Sequence, residues 1–223
     1  MKPTLVIGNK NYSSWSLRPW FLLKHFGVDF QEVRVPLNQP ETADRLAMFS
    51  PTGKVPVLLH EQRAVWESLA ICEYINDCFL DGRGWPADLG ARSHARSLAC
   101  EMHAGFAALR SQWPMNVRLR RPMTLNGKVA QDLARMEVIW NECLEIYGGP
   151  WMCGEFSIVD AMYAPVALRF HSYQPPLSEA SQGYVNAILS HPAIKEWMAA
   201  AEAESEVIKE DEVGYLLGEP GWE

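Results

Sequence analysis

Gly53-Lys54-Val55-Pro56-Val57-Leu58-Leu59, followed by Glu67-Ser68-Leu69-Ala70-Ile71, is the stretch on which the reading of this chain turns. A proline heading an apolar, strand-like run cannot donate to a central ladder, but it is tolerated at the first residue of a strand. A cis bond is available there. It would turn Val55 so that its backbone N–H and C=O face outward and pair with an extended peptide, as an added strand would. At Glu67-Ser68 the apolar pattern passes from strand period to helix period. Ser68 then stands at a helix N-terminus, where free N–H groups and the positive end of the dipole accept a carboxylate. One motif presents backbone and the other an anion site, at a separation that suits a short peptide acid. Taken singly, Pro56 could open an edge strand and Glu67-Ser68 could merely cap a helix.

Outward from this stretch, residues 4–9 read as a buried strand and 14–26 as a helix with Pro19 in its first turns. Gly27 is the expected stop. Residues 30–35 alternate as a strand, 41–48 make a short helix, 56–60 and 63–66 a hairpin, and 67–79 a helix. Asp81-Gly82-Arg83-Gly84-Trp85-Pro86 has the Gly/Pro composition of a linker. No convincing strand follows. Long helical patterns cover 88–112 and 125–147, and shorter ones 157–170, 179–190 and 192–204. The expected organisation is an α+β domain over 1–80, a linker over 81–87, and an all-α domain over 88–223 ending in an acidic tail. Ser157-Ile158-Val159-Asp160 reads as a capping box at the start of a buried helix, with Phe156 placed to staple against Ala161.

Composition narrows the function. At 223 residues and 48% hydrophobic the chain can bury a sizeable core. A formal net charge of -7 disfavours nucleic acid as a partner, and the cationic residues are scattered apart from Arg118, Arg120 and Arg121. No apolar run approaches the roughly 20 residues that span a bilayer, so no membrane role is expected. The N-terminus reads as a strand rather than a signal peptide, which makes the cytoplasm the expected location. The five cysteines, Cys72, Cys78, Cys100, Cys143 and Cys153, show no CxxC or metal-ligand spacing. The six histidines form no HExxH cluster, and no metal is expected.

The Val-Pro and Glu-Ser motifs, in this order and on this pattern, resemble the glutathione site of the glutathione transferases, which lies in their thioredoxin-like N-terminal domain. The resemblance extends over residues 4–204 and implies an α+β thioredoxin-like domain followed by an all-α domain. By it, Val55 before Pro56 pairs with the cysteinyl part of glutathione, and Glu67 with Ser68 binds the γ-glutamyl end. Gln39 and Lys54 are candidates for the glycyl end. Glutathione is then a co-substrate, and a homodimer is implied.

Such an enzyme must hold a thiol, ordinarily near pKa 8.5, as thiolate. A hydroxyl beside the sulfur at a helix N-terminus favours the anion. Asn11-Tyr12-Ser13-Ser14-Trp15-Ser16-Leu17-Arg18 supplies several hydroxyls after the first strand. Ser13-Ser14-Trp15-Ser16-Leu17-Arg18 resembles the Ser-Ser-Cys-Ser-x-Arg stretch of the zeta class. Ser13 takes the place of the thiolate-stabilising serine, Ser14 is its neighbour, and Arg18 matches the family's arginine. Trp15 replaces the cysteine, which argues against a cysteine mechanism and puts maleylacetoacetate isomerase activity in doubt. Tyr12, Trp15, His103, Phe106, Arg110, Trp113 and Met115 are candidate walls of a pocket for a small apolar electrophile. The resemblance implies glutathione conjugation. Glutathione-dependent peroxide reduction or isomerisation at the same site, and a non-catalytic binding or regulatory role, are the alternatives.

Overall fold

The protein is described by a computed structural model over residues 1–213. The end of the expected acidic tail, 214–223, lies outside the described residues. The N-terminal part runs β1 (Thr4–Ile7), α1 (Ser14–His25), β2 (Gln31–Arg34), α2 (Thr42–Ala47), β3 (Val57–His60), β4 (Arg63–Trp66) and α3 (Ser68–Phe79). The four strands form one sheet in the order β2-β1-β3-β4, with β1 parallel to β2 and antiparallel to β3. Along β1 successive side chains point to opposite faces, as strand geometry requires. Leu5 and Ile7 enter the main core with α1 and α3, whereas Val6 joins Val35, Leu46 and Val57 on the face covered by α2. This is the thioredoxin-like arrangement read from the sequence.

Helices follow: α4 (Leu89–Ala104), α5 (Ala107–Gln112), α6 (Gly127–Tyr147), α7 (Ile158–Tyr173), α8 (Glu179–Ser190) and α9 (Pro192–Glu202). A 3-10 turn, Lys209–Asp211, comes after them. The helical pattern over 88–112 is not continuous. It breaks at Gly105 and at Phe106, which sits at φ 56°, ψ 40°. A side chain at Gly105 would bring its Cβ to 2.7 Å from the Glu101 carbonyl oxygen. Apolar periodicity passes through such a break unmarked. Between α6 and α7 the isolated bridges Trp151–Gly154 and Cys153–Glu155 form a small turn. Among the described residues no helix is long and apolar enough to cross a membrane.

Helix α7 is the centre of the molecule, buried along nearly its whole length and packed against α1, α4 and α8. Asp160, fully buried, fixes its start. The carboxylate accepts from the backbone N–H groups of Ser157 (2.9 Å) and Met152 (3.0 Å) and from the Tyr184 hydroxyl (3.0 Å). Ser157 and Asp160 face each other's backbone N–H groups as the expected capping box, in which Asp160 makes the hydrogen bond of ordinary geometry. Phe156 stacks on His25 at 3.7 Å between ring centroids, which is the packing it finds at the helix entrance.

The segment after α9 doubles back onto the loop that follows β1. The Glu204 carboxylate accepts from the backbone N–H groups of Lys10 (2.7 Å) and Asn11 (3.1 Å). Arg34 reaches both Glu204 and Glu206. Trp197 donates its indole N–H to the Lys10 carbonyl. The β1–α1 loop is therefore held by groups from the helical part, and with it the side chains of the candidate site.

Candidate active site

Two cavities meet at Trp15. The first, of about 270 Å³, is lined by Trp15, Thr52, Lys54, Val55, Pro56, Trp66, Glu67 and Ser68. The Val55-Pro56 bond is cis. Glu67 has φ 67° and ψ 125°, a region sparsely populated by residues other than glycine, and it caps α3 in that conformation. Ser68 follows, 1% exposed, as the first residue of the helix. Its Oγ accepts a hydrogen bond from Arg18 Nη1 at 3.3 Å. With that lone pair occupied, the hydroxyl proton is free to donate to an anion at the helix start.

Arg18 is the unusual member of this cleft. It is 1% exposed, forms no ion pair among the described residues, and its Nε has no hydrogen-bond partner. Burial, with Arg169 and Arg110 adding repulsion, pulls its guanidinium down to about 9. A cation left this way is costly unless an anion approaches it. Arg18 Cζ lies 4.1 Å from the centroid of the Trp15 ring. Gln39 stands apart: its amide turns back to the Leu37 carbonyl, and it does not line the cleft.

The two neighbouring serines differ in their surroundings. Ser13 caps α1, and its Oγ lies 2.7 Å from Ser16 Oγ, which accepts from the Gly8 N–H at 3.1 Å. The chain Gly8 N–H to Ser16 to Ser13 leaves the Ser13 proton free when Ser16 donates to Ser13. Ser13 lines neither cavity. Ser14 accepts from Arg169 Nη2 at 3.3 Å and faces the second cavity.

That second cavity, of about 410 Å³, is bounded by Tyr12, Ser14, Trp15, Arg110, Met115, Arg169 and Asp211 among others. The sequence brings Tyr12, Trp15, Arg110 and Met115 to this place. Phe106 and Trp113 do not line it. Trp113 is 1% exposed and stacks on Tyr173, and Phe106 enters the main core at the break between α4 and α5. His103 sits at the edge of the Trp15 ring (5.4 Å between centroids), with Nε2 3.6 Å from Glu67 Oε2. Burial foremost, with Arg18 and Arg110, keeps His103 below its usual range. Tyr12 receives a hydrogen bond from Arg118 Nη2 (2.8 Å) and donates to Glu212 (2.5 Å).

Sequence reading placed the Ser16 hydroxyl near this helix start without giving it a role, and missed Arg169 and Asp211. Arg169 carries a faint signal, a lone cation between Leu168 and Phe170 in an apolar helical run. Asp211 carries none, because its position depends on how the segment after α9 folds back.

Family models match both parts of the chain. The one described as "Glutathione S-transferase, N-terminal domain" matches residues 12–78, and the one described as "Glutathione S-transferase, C-terminal domain" matches 101–200. The chain belongs to the glutathione S-transferase family. It is 25% identical over 183 residues to a probable maleylacetoacetate isomerase of Caenorhabditis elegans, covering 79% of this chain and 83% of that protein. It is 24% identical over 204 residues to glutathione S-transferase omega-2 of Mus musculus, covering 90% and 76%. Among solved structures, a glutathione transferase homolog from Burkholderia gl BGR1 with bound glutathione aligns with TM-score 0.70 at 21% identity, covering 91% of this chain and 99% of that one. A diazinon-metabolizing glutathione S-transferase of the silkworm Bombyx mori aligns with TM-score 0.71 at 17% identity, covering 90% and 97%.

Proposed function

We propose that this transferase-family protein binds glutathione in the cleft between Val55 and Ser68 and adds its thiolate to a small electrophile in the neighbouring cavity. The observation that carries the reading is Ser68: a buried hydroxyl at the start of α3, backed by a buried arginine that forms no ion pair among the described residues. In this reading the γ-glutamyl carboxylate takes the Ser68 proton and the α3 N–H groups, and neutralises Arg18. Glu67 receives the γ-glutamyl ammonium. Val55 pairs with the cysteinyl backbone, and Lys54 reaches the glycyl carboxylate. Gln39 needs a side-chain turn to take part.

The cysteinyl sulfur then lies at the start of α1. Ser13 donates to it, its proton made available by the chain through Ser16 and Gly8. The thiolate attacks an electrophilic carbon, a carbon–sulfur bond forms, and the leaving group departs with its electron pair. A second assignment has its own support: Ser14 lines the acceptor cavity and carries the Arg169 hydrogen bond, which polarises its hydroxyl. A homodimer is part of the proposal and rests on family membership alone. Calorimetric titration with glutathione, followed by rates with an aryl halide, a peroxide and a maleyl substrate, tests the reading. Absence of glutathione binding in the folded protein would overturn it. Turnover of peroxide or maleyl compounds alone would replace conjugation with reduction or isomerisation.

A further inference from the structure

The cavity beside the proposed thiolate is not an apolar pocket. Arg110 and Arg169 both line it, and Arg18 lies against its Trp15 wall. Arg110 Cζ is 5.2 Å from the Trp15 ring centroid and Arg18 Cζ 4.1 Å, so two guanidinium groups lie against one indole. Arg169 is 3% exposed and among the described residues donates only to neutral oxygens, those of Trp113, Pro165 and Ser14. Arg110 donates to the His103 carbonyl. Among the described residues none of the three forms an ion pair. Burial draws Arg110 and Arg169 below their ordinary range, the latter to about 10, against the partial counter-charge of Asp132 on Arg110 and of Asp211 on Arg169. In a chain of net charge -7 this concentration is against the average.

Among the described residues one carboxylate lines the cavity. Asp211 comes from the 3-10 turn after α9 and lines the same wall as Arg169. It is near enough for the two charges to act on each other, yet among the described residues it makes no ion pair. Burial holds its carboxyl up, at about 6. Asp211 thus supplies a partial, imperfect counter-charge to a site that still has cationic capacity.

We propose that the acceptor substrate is an organic anion whose carboxylate is held by Arg110 and Arg169, in place of Asp211, with its electrophilic carbon turned toward Trp15 and the serines. The proposal rests on the conjugation reading above and deepens it, replacing an apolar electrophile by a carboxylated one. Guanidinium groups bind planar carboxylates through paired N–H donors, and the Trp15 ring offers an apolar face for the remainder of the molecule.

Calorimetric titration of the full chain, with and without saturating glutathione, against 3-nitrobenzoate and 3-nitrobenzamide tests it. The two probes differ only in the charged group. The benzoate is expected to bind at least about tenfold tighter, a difference typical of a charge-assisted hydrogen bond. Arg110→Met should bring the two within about twofold, Arg110→Lys should restore part of the preference, and Asp211→Asn should tighten the benzoate several-fold. Reaction rates with 4-chloro-3-nitrobenzoate and 4-chloro-3-nitrobenzamide, each divided by its rate without protein, should follow the same order. Equal binding of the two probes, or a preference that survives Arg110→Met, overturns the proposal. Should glutathione fail to bind while the benzoate preference holds, the conjugation reading falls and the anion site stands. Should glutathione bind while the preference is missing, the anion site alone falls.

Discussion

Arg18 reaches Ser68 across the interface of α1 and α3, Nη1 to Oγ at 3.3 Å, and this is the only hydrogen bond the buried guanidinium makes among the described residues. An arginine kept for stability would be fully paired. Arg18→Met should therefore leave the melting temperature unchanged or raise it, because a poorly paired buried ion is often replaced by an apolar residue at no cost. Glutathione affinity should fall in the same variant. A drop in stability without a change in affinity, measured by thermal melts and calorimetry, would make Arg18 a structural residue.

Ser68→Ala removes the hydroxyl that stands between Arg18 and the proposed carboxylate. A hydrogen bond to a charged group contributes about 1.5–3 kcal/mol, so glutathione affinity should fall roughly ten- to a hundredfold. The helix start keeps its N–H groups, and the fold should hold. Calorimetry on a folded Ser68→Ala protein decides it; unchanged affinity moves the γ-glutamyl end away from α3.

For the serines, thiolate absorbance of the glutathione complex against pH separates two arrangements. Ser13→Ala should raise the pKa of the bound thiol and slow reaction with an aryl halide, with little change in glutathione affinity. Ser16→Ala should produce a weaker version of the same effect, because it breaks the chain from Gly8 to Ser13. If Ser14→Ala has the larger effect and Ser16→Ala none, the hydroxyl polarised by Arg169 is the thiolate donor.

The sheet, the hairpin and α3 were legible because their signals are local: alternation in β1 and β2, a proline opening β3, a Glu-Ser pair where the period changes. Val55, Pro56, Glu67 and Ser68 were legible for the same reason, and the structure gathers them in one cleft with Lys54. Residues whose role depends on long-range packing were not. Phe106 and Trp113 share a helical spacing with true cavity walls, and only the break at Gly105 and the stack on Tyr173 turn them into the core. Arg169 and Asp211 come from α7 and from the segment after α9, far in sequence from the serines they face. Nothing in the spacing of residues joins such positions.

Asp160 should be the most sensitive position for stability. Its carboxylate satisfies two backbone N–H groups and the Tyr184 hydroxyl in a fully buried place. Asp160→Ala leaves three donors without partners, each costing about 1–3 kcal/mol, less what water entering the site recovers. A loss of at least about 3 kcal/mol in denaturant unfolding is expected, with glutathione affinity of the remaining folded protein retained. Asp160→Asn keeps an acceptor oxygen and should lose less.

The histidine pair at the end of α1 sets a pH dependence whose sign can be worked out. His191 Nδ1 accepts the Ala193 N–H (3.1 Å), so this nitrogen carries no proton, and Nε2–H donates to His25 Nδ1 (3.1 Å). Both rings are neutral in this arrangement, and His25 stacks on Phe156. Burial, with His191 adding to it, lowers His25 to about 4, while the unfolded chain titrates near 6.5. Between those values the unfolded state binds more protons, so this contribution to stability is present above pH 6.5 and is lost as pH falls toward 4. Asp160 and Asp211, both raised to about 6, act in the opposite sense, favouring the folded state at low pH and losing that contribution as pH rises through 6. The net curve mixes the two, and a difference between variants isolates the histidine. Unfolding free energies of the wild type and of His25→Gln, compared from pH 8 to pH 4, should diverge below pH 6.5, with the wild type losing more. Parallel curves would mean that His25 accepts its proton without breaking the bond to His191.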